Sequence, residues 1–230
     1  MIIFDINIIK MRIKSFRKII SLLLFFIMVL LISNQCSKTK DVVPIDDTTD
    51  PTDSVNTTYY GFVLNEVLYD PPGDSTGDAN GDGVRDANDD EFVEFVNSSE
   101  TSLDISGYML FDADRLSSNT PNHEFPSNTV LSPGQAVVVF GGGTPNGSFG
   151  GSLVFVSSGQ VLNLNNTGDV LTVRNNNDST IIIFDVTPLS DNPNESYTRF
   201  PDLHGDYIQH NSANTGTLFS PGTKLDGSSF

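Results

Sequence analysis

Asp74–Asn97 reads DSTGDANGDGVRDANDDEFVEFVN. The stretch crowds carboxylates into a glycine-broken loop and then runs into Glu91–Asn97, whose β-branched and aromatic residues suit a pleated, half-buried strand. Outward from it the same grammar repeats. From Tyr59 on there is no helical periodicity of useful length, and the apolar runs are short and separated by Gly, Asn, Pro and Ser. Strands are expected at Gly61–Tyr69, Glu91–Asn97, Tyr108–Phe111, His123–Phe125, Ala136–Phe140, Leu153–Val156, Val170–Arg174, Thr180–Val186, Ser196–Arg199 and Tyr207–Gln209. Turn signals stand between them at Ser106-Gly107, Pro133-Gly134, Gly141-Gly142-Gly143, Asn166–Asp169 and Asn175–Asp178. Many short strands joined by such turns predict an all-β sandwich or barrel. Val137–Val139 and Ile181–Ile183 are continuous apolar runs and are expected to be central strands, covered on both faces.

The rest of the 230 residues divides by composition. Arg12, Lys14, Arg17 and Lys18 precede the apolar run Ile19–Ser33, and the single cysteine, Cys36, stands just beyond it. A basic segment followed by about 15 apolar residues has the form of a signal peptide, and it is short of the ~20 residues that span a bilayer comfortably. With a lone cysteine after it, the pattern resembles a bacterial lipoprotein signal, in which Cys36 would carry the lipid. Residues 1–36 are therefore assigned to the signal, with Met11 as a possible start. Residues 37–58 are rich in Asp, Thr and Pro, cannot bury enough apolar surface to offset chain entropy, and are expected to be a flexible linker. Residues 59–230 remain for one sandwich domain. A single cysteine excludes an intramolecular disulfide and a Cys-based zinc site.

Charge is distributed unevenly. The net charge is −17, and of 12 Lys and Arg only Arg85, Arg115, Arg174, Arg199 and Lys224 lie beyond residue 40. Such a surface repels phosphate backbones, so nucleic acid is excluded as a direct partner.

The acidic loop has metal-ligand spacing. Asp78, Asn80, Asp82 and Asp86 stand at positions 1, 3, 5 and 9 of a calcium loop, Gly83 takes the sharp turn at 6, and Val84 supplies a backbone carbonyl at 7. Asp89 occupies position 12, where a longer, bidentate Glu is usual, unless Asp90 or Glu91 substitutes. The flanking helices of an EF-hand are missing. Gathering Asp78, Asp82, Asp86 and Asp89 within about 6 Å would cost roughly 4 kcal/mol of repulsion in a water-like medium. Either a cation offsets this or the loop stays open and solvated, and both readings stand at this point.

Several blocks, in order, resemble the bacterial form of the lamin tail domain: Val63–Asp70 (VLNEVLYD), Asp90–Asn97 (DEFVEFVN), Leu103–Leu110, His123–Pro126 leading to Leu131–Val139, Leu164–Val173, Ser196–Arg199 and the closing Ser220-Pro221-Gly222. The resemblance covers about Phe62 to Thr223. It implies an immunoglobulin-like β-sandwich used as a binding or structural module, often attached to exported enzymes. The missing basic patch argues against transferring the DNA or chromatin contacts of animal lamin tails.

Other constellations carry less. His123, His204 and His210 are scattered and are read as ordinary strand or loop residues. Gly141–Gly143 lacks a following Lys-Ser/Thr and a helix, and is read as a turn and not a phosphate cradle. Glu66 and Glu94 fall in strands; they could pair as acid and base, but strand-end polar contacts are the commoner reading. Two rival classes stay open: a calcium-stabilised carbohydrate-binding module, for which Tyr59, Tyr60, Tyr197 and Tyr207 could form a platform, and a metal-dependent phosphoesterase using the acidic loop. The main expectation is a non-catalytic, lipid-anchored envelope protein with a structural calcium. Its partner would be another protein or an envelope polymer, and Ser37 favours outer-membrane sorting.

Overall fold

The computed structural model describes residues 56–189, 191 and 193–230. Cys36, the apolar run Ile19–Ser33 and most of the linker lie outside the described residues. Thirteen strands follow one another: β1 (Thr58–Tyr59), β2 (Phe62–Leu68), β3 (Phe92–Asn97), β4 (Leu103–Asp104), β5 (Met109–Phe111), β6 (His123–Glu124), β7 (Val130–Leu131), β8 (Ala136–Phe140), β9 (Leu153–Val156), β10 (Val170–Arg174), β11 (Thr180–Asp185), β12 (Tyr197–Phe200) and β13 (Asp206–Gln209). The large sheet runs β13-β12-β2-β3-β8-β9 with β1 beside β2; a second sheet runs β11-β10-β5-β6, and β4 pairs β7. All ten expected strands are present, and the domain is an immunoglobulin-like β-sandwich.

The core lies between the two larger sheets. Phe62, Leu64 and Val67 of β2, Val93 and Phe95 of β3, and Val137 and Val139 of β8 pack with Leu110, Leu171, Val173, Ile182 and Phe184 of the second sheet. Phe62 stacks on Phe95 with ring centroids 4.6 Å apart. Each such fully buried Phe contributes ~2–3 kcal/mol. Leu64 and Val67 share one face although they are three positions apart, which a regular pleat forbids. The register slips between Leu64 and Glu66, so Asn65 is the extra residue of a bulge. That slip turns both Asn65 and Glu66 to the outer face.

The outer face of the large sheet is covered as well. Leu68, Phe92, Val138 and Phe140 form a second apolar cluster with Phe149, Val154 and Phe219. β8 is therefore buried on both sides, as its unbroken AVVVF run predicts. Ile181–Ile183 does not follow the same rule. β11 is an edge strand, and Ile183 is 39% exposed. Its free side is closed by the segment just before β1: Ile183 N–H donates to Asn56 O at 2.7 Å, and Asn56 Nδ2 donates to Ile181 O at 2.6 Å. Residues 56–58, placed in the linker by composition, are thus bonded into the sandwich.

Two helices were not expected. α1 (Ala113–Ser118) buries none of its side chains, so it has no apolar stripe to betray it. Its caps define it instead: Asp112 accepts from Arg115 N–H at 2.6 Å, and Asn119 closes it in the left-handed region at φ 52°. α2 (His210–Ala213) is a single turn after β13. Among the described residues no helix is long and apolar enough to cross a membrane.

Candidate functional site

The acidic loop folds as the calcium-loop spacing demands of its backbone. Asp78 Oδ2 accepts from Gly83 N–H at 2.9 Å, Asn80 Oδ1 from Asp82 N–H at 3.0 Å, and Asp82 Oδ1 from Val84 N–H at 2.9 Å. Three side chains at positions 1, 3 and 5 therefore curl the chain around themselves, and Gly83 takes the turn at φ 90°. Val84 lies on the outside of this curl, 65% exposed. Asp86 Oδ1 accepts from Asn88 and Asp89 N–H, at 2.8 and 3.2 Å. Among the described residues no three His, Cys, Asp or Glu side chains are grouped as a metal ion needs. One atom is left over: Asp78 Oδ1 is buried and has no hydrogen-bond partner.

Neither substitute for position 12 is available. Asp90 is fully buried and uses Oδ1 on Asn80 N–H (3.1 Å) and Oδ2 on Asp86 N–H (2.8 Å), which ties the two arms of the loop together. Glu91 turns the other way and accepts from Leu164 N–H at 3.3 Å. Asp89 remains in place, and burial followed by the charges of Asp86 and Asp82 raises its carboxyl above the usual range. Asp86 and Asp82 are thus near enough to act on Asp89.

Gly141–Gly143 is what the loop rests on. Gly141 N–H donates to Glu91 O at 2.8 Å, Gly142 N–H to Asp89 O at 3.1 Å, and Thr144 N–H to Asp82 Oδ2 at 2.9 Å. A Cβ on Gly141 would collide with Asn88 O, on Gly142 with the Asp89 side chain, and on Gly143 with Asn80 and Asp82. The reading as a turn holds, and its glycines are explained by this close approach. Beside the loop a polar cleft of about 440 Å³ is lined by Asp70, Arg85, Asn88, Glu91, Asp114 and Asn163. Arg85 is held at its edge by bonds to the carbonyls of Pro72 and Pro71, at 2.6 and 2.8 Å.

A second polar cluster was not legible as one. Glu66 and Glu94 are opposed in register across β2 and β3, in mid-strand and fully buried, so the strand-end reading is corrected. Glu66 Oε1 accepts from Ser196 Oγ–H (2.7 Å) and Ser220 N–H (2.9 Å), and Oε2 from Ser220 Oγ–H (2.7 Å). Glu94 accepts from Asn65 Nδ2–H at 2.9 Å and from Gly222 N–H at 2.6 Å. His210, fully buried, sets Nε2 2.9 Å from Ser220 Oγ and Nδ1 3.2 Å from Thr217 O. Burial raises both carboxyls; His210 and three donors oppose this at Glu66, whereas the neighbouring Glu66 charge adds to it at Glu94.

The order of these groups is Glu–Ser–His. In a nucleophilic triad the carboxylate orients the imidazole, which takes the serine proton. Here the carboxylate addresses the serine, and the imidazole is held by a backbone carbonyl. The cluster fastens the Ser220-Pro221-Gly222 turn to the sheet, which connects three of the sequence blocks physically.

The remaining sequence candidates separate. Tyr197 is 6% exposed and stacks on Tyr69 in the core, Tyr207 packs on Phe184, and only Tyr60 is well exposed, at 77%. The four tyrosines therefore form no shared platform. His123 is buried, accepts from Ser158 N–H at 3.2 Å through Nδ1, and leaves Nε2 without a partner against Phe125 and Phe155. Burial lowers its pKa to about 4.

The lamin tail domain family model matches residues 57–190. No curated protein matches the chain. The match ends before β12, so the strap bearing Ser220 and Gly222 lies beyond it.

Proposed function

The chain belongs to the lamin tail domain family, and on that premise we propose that it is a non-catalytic binding or structural module of the bacterial envelope. In this reading the lipid sits on Cys36, the Asp/Thr/Pro linker holds the sandwich away from the membrane, and a calcium ion braces the Asp78–Asp89 loop. Its partner is a protein or envelope polymer.

The observation that carries the reading is how the buried polar groups are used. Asp90, Glu91, Glu66 and Glu94 each accept from backbone or side-chain donors of other segments. They hold the scaffold together, and of the four only Glu91 also borders the polar cleft. Calcium is supported by the donor chemistry, which is all oxygen, and by the orphaned Asp78 Oδ1. Asp78, Asn80, Asp82, Asp86 and Asp89 with the Val84 carbonyl would hold the ion, which would supply charge neutralisation.

Intact-mass analysis of the membrane-extracted full-length protein tests the anchor. A diacylglyceryl-modified Cys36 as the first residue is expected, and an unmodified thiol or a retained signal segment would refute it. Turnover of a phosphodiester by the purified protein with calcium or magnesium would overturn the non-catalytic reading.

A further inference from the structure

Residues 210–225 cross the outer face of the large sheet. We propose that they form a proton-gated strap, clipped to the sheet while the opposed Glu66–Glu94 pair holds one proton and released when that proton is lost. Besides His210 N–H to Ser196 O and Ser152 Oγ–H to Gly222 O, both at 3.0 Å, the strap's polar ties centre on the two glutamates. Ser220 N–H, Ser220 Oγ–H and Gly222 N–H all enter the two glutamates, Ser196 N–H donates to Leu218 O at 2.8 Å, and Leu225 N–H reaches Asp202 Oδ2 at 3.3 Å. Phe219 packs against the outer apolar cluster.

Proton accounting gives the gate. With Ser220 Oγ–H donated to Glu66 Oε2, the 2.9 Å contact to His210 Nε2 requires an Nε2–H donor; with the serine reversed, Glu66 must carry the proton. In the first arrangement Glu66 is the carboxylate; in the second it is the carboxylic acid. Glu94 faces Glu66 across the strands, and two ionised carboxylates cannot share a fully buried site without a large repulsion. At least one of the two therefore keeps its proton, and burial together with the Glu66 charge raises the Glu94 carboxyl.

The other charged groups around the cluster do not relieve it. Asp202, in the loop after β12, adds negative charge toward Glu94, with Lys224 and Asp226 of the chain end beside it. Glu195 is engaged by Asn211 N–H at 2.6 Å. Losing that proton leaves two carboxylate charges in one buried site, with His210 acting on Glu66 alone. Lifting the strap readmits water to Glu66 and Glu94 and uncovers the apolar surface under Phe219.

Amide exchange of the full-length protein, corrected for the intrinsic pH dependence of exchange, tests this. As pH rises through the titration of the pair, protection of the Ser220 and Gly222 amides should fall at least tenfold while Val138 in β8 stays protected. The E94Q protein, which cannot ionise at this position, should hold the strap closed to a higher pH. Carbon-13 shifts of the Glu66 and Glu94 carboxyls provide a readout independent of any variant, with one carboxyl still protonated at pH 7. Strap protection that does not change with pH, that is lost only together with Val138, or two ionised carboxyls at pH 7 would overturn the proposal.

Discussion

Glu66 and Glu94 stand opposite one another in register across β2 and β3, and neither exposes any surface. A cross-strand pair of like groups is destabilising unless something else satisfies it. Here the satisfaction comes from chain far away: Ser196, Ser220 and Gly222 supply the donors. The pair therefore makes the stability of the sheet and of the C-terminal segment depend on each other.

Truncating Glu66→Ala leaves the Ser220 backbone N–H and two hydroxyls buried without their acceptor. The expected cost is at least ~3 kcal/mol, read as a lower urea midpoint. Ser196→Ala removes a single donor and should cost about 1 kcal/mol.

His123 predicts a slope of stability with pH. Its folded-state pKa is lowered to about 4, so the fold holds it neutral while the unfolded chain takes a proton below its ordinary 6.5. The stability contribution is complete above pH 6.5 and is lost as pH falls toward 4, by up to ~3 kcal/mol. Buried carboxyls with raised pKa, Glu91 above all, give an opposing slope between pH 7 and 5. The His123 contribution is therefore read by urea unfolding as the difference between the parent and His123→Gln, which should grow as pH falls from 7 to 5.

Gly143→Ala tests the support under the acidic loop. The residue sits at φ 73°, and a Cβ there runs into Asn80 and Asp82. The substitution should cost about 2 kcal/mol and should also weaken any calcium response. Gly73→Ala, which meets nothing nearby, is the matched control and should be close to neutral.

Much of this architecture can be read in the residues, and the exceptions have physical causes. The AVVVF run of β8 announces a strand covered on both faces, because nothing polar interrupts it. Ile181–Ile183 carries the same signal yet lies at a sheet edge, since local hydrophobicity cannot tell a second sheet layer from cover by the segment at Asn56. α1 escaped because it buries nothing; its Asp112 and Asn119 caps were the only sign.

The acidic loop was legible because its ligand spacing is local. The Glu66–Glu94 cluster was not, because its donors come from more than a hundred residues away in Ser196, Ser220 and Gly222. The phase slip at Asn65, with Leu64 and Val67 sharing one face, was the available clue that Glu66 points away from the core.

The most direct measurement for the structural-cation account is thermal melting of the full-length protein in calcium and in chelator, alongside the D78N variant. Calcium at ~100 times its dissociation constant should stabilise by ~2.7 kcal/mol and raise the melting temperature by about 5–10 °C. D78N, which removes the charge of the residue with the orphaned oxygen, should abolish most of that shift. Identical melting with and without calcium would contradict the account and leave the Asp78–Asp89 loop as a solvated acidic turn.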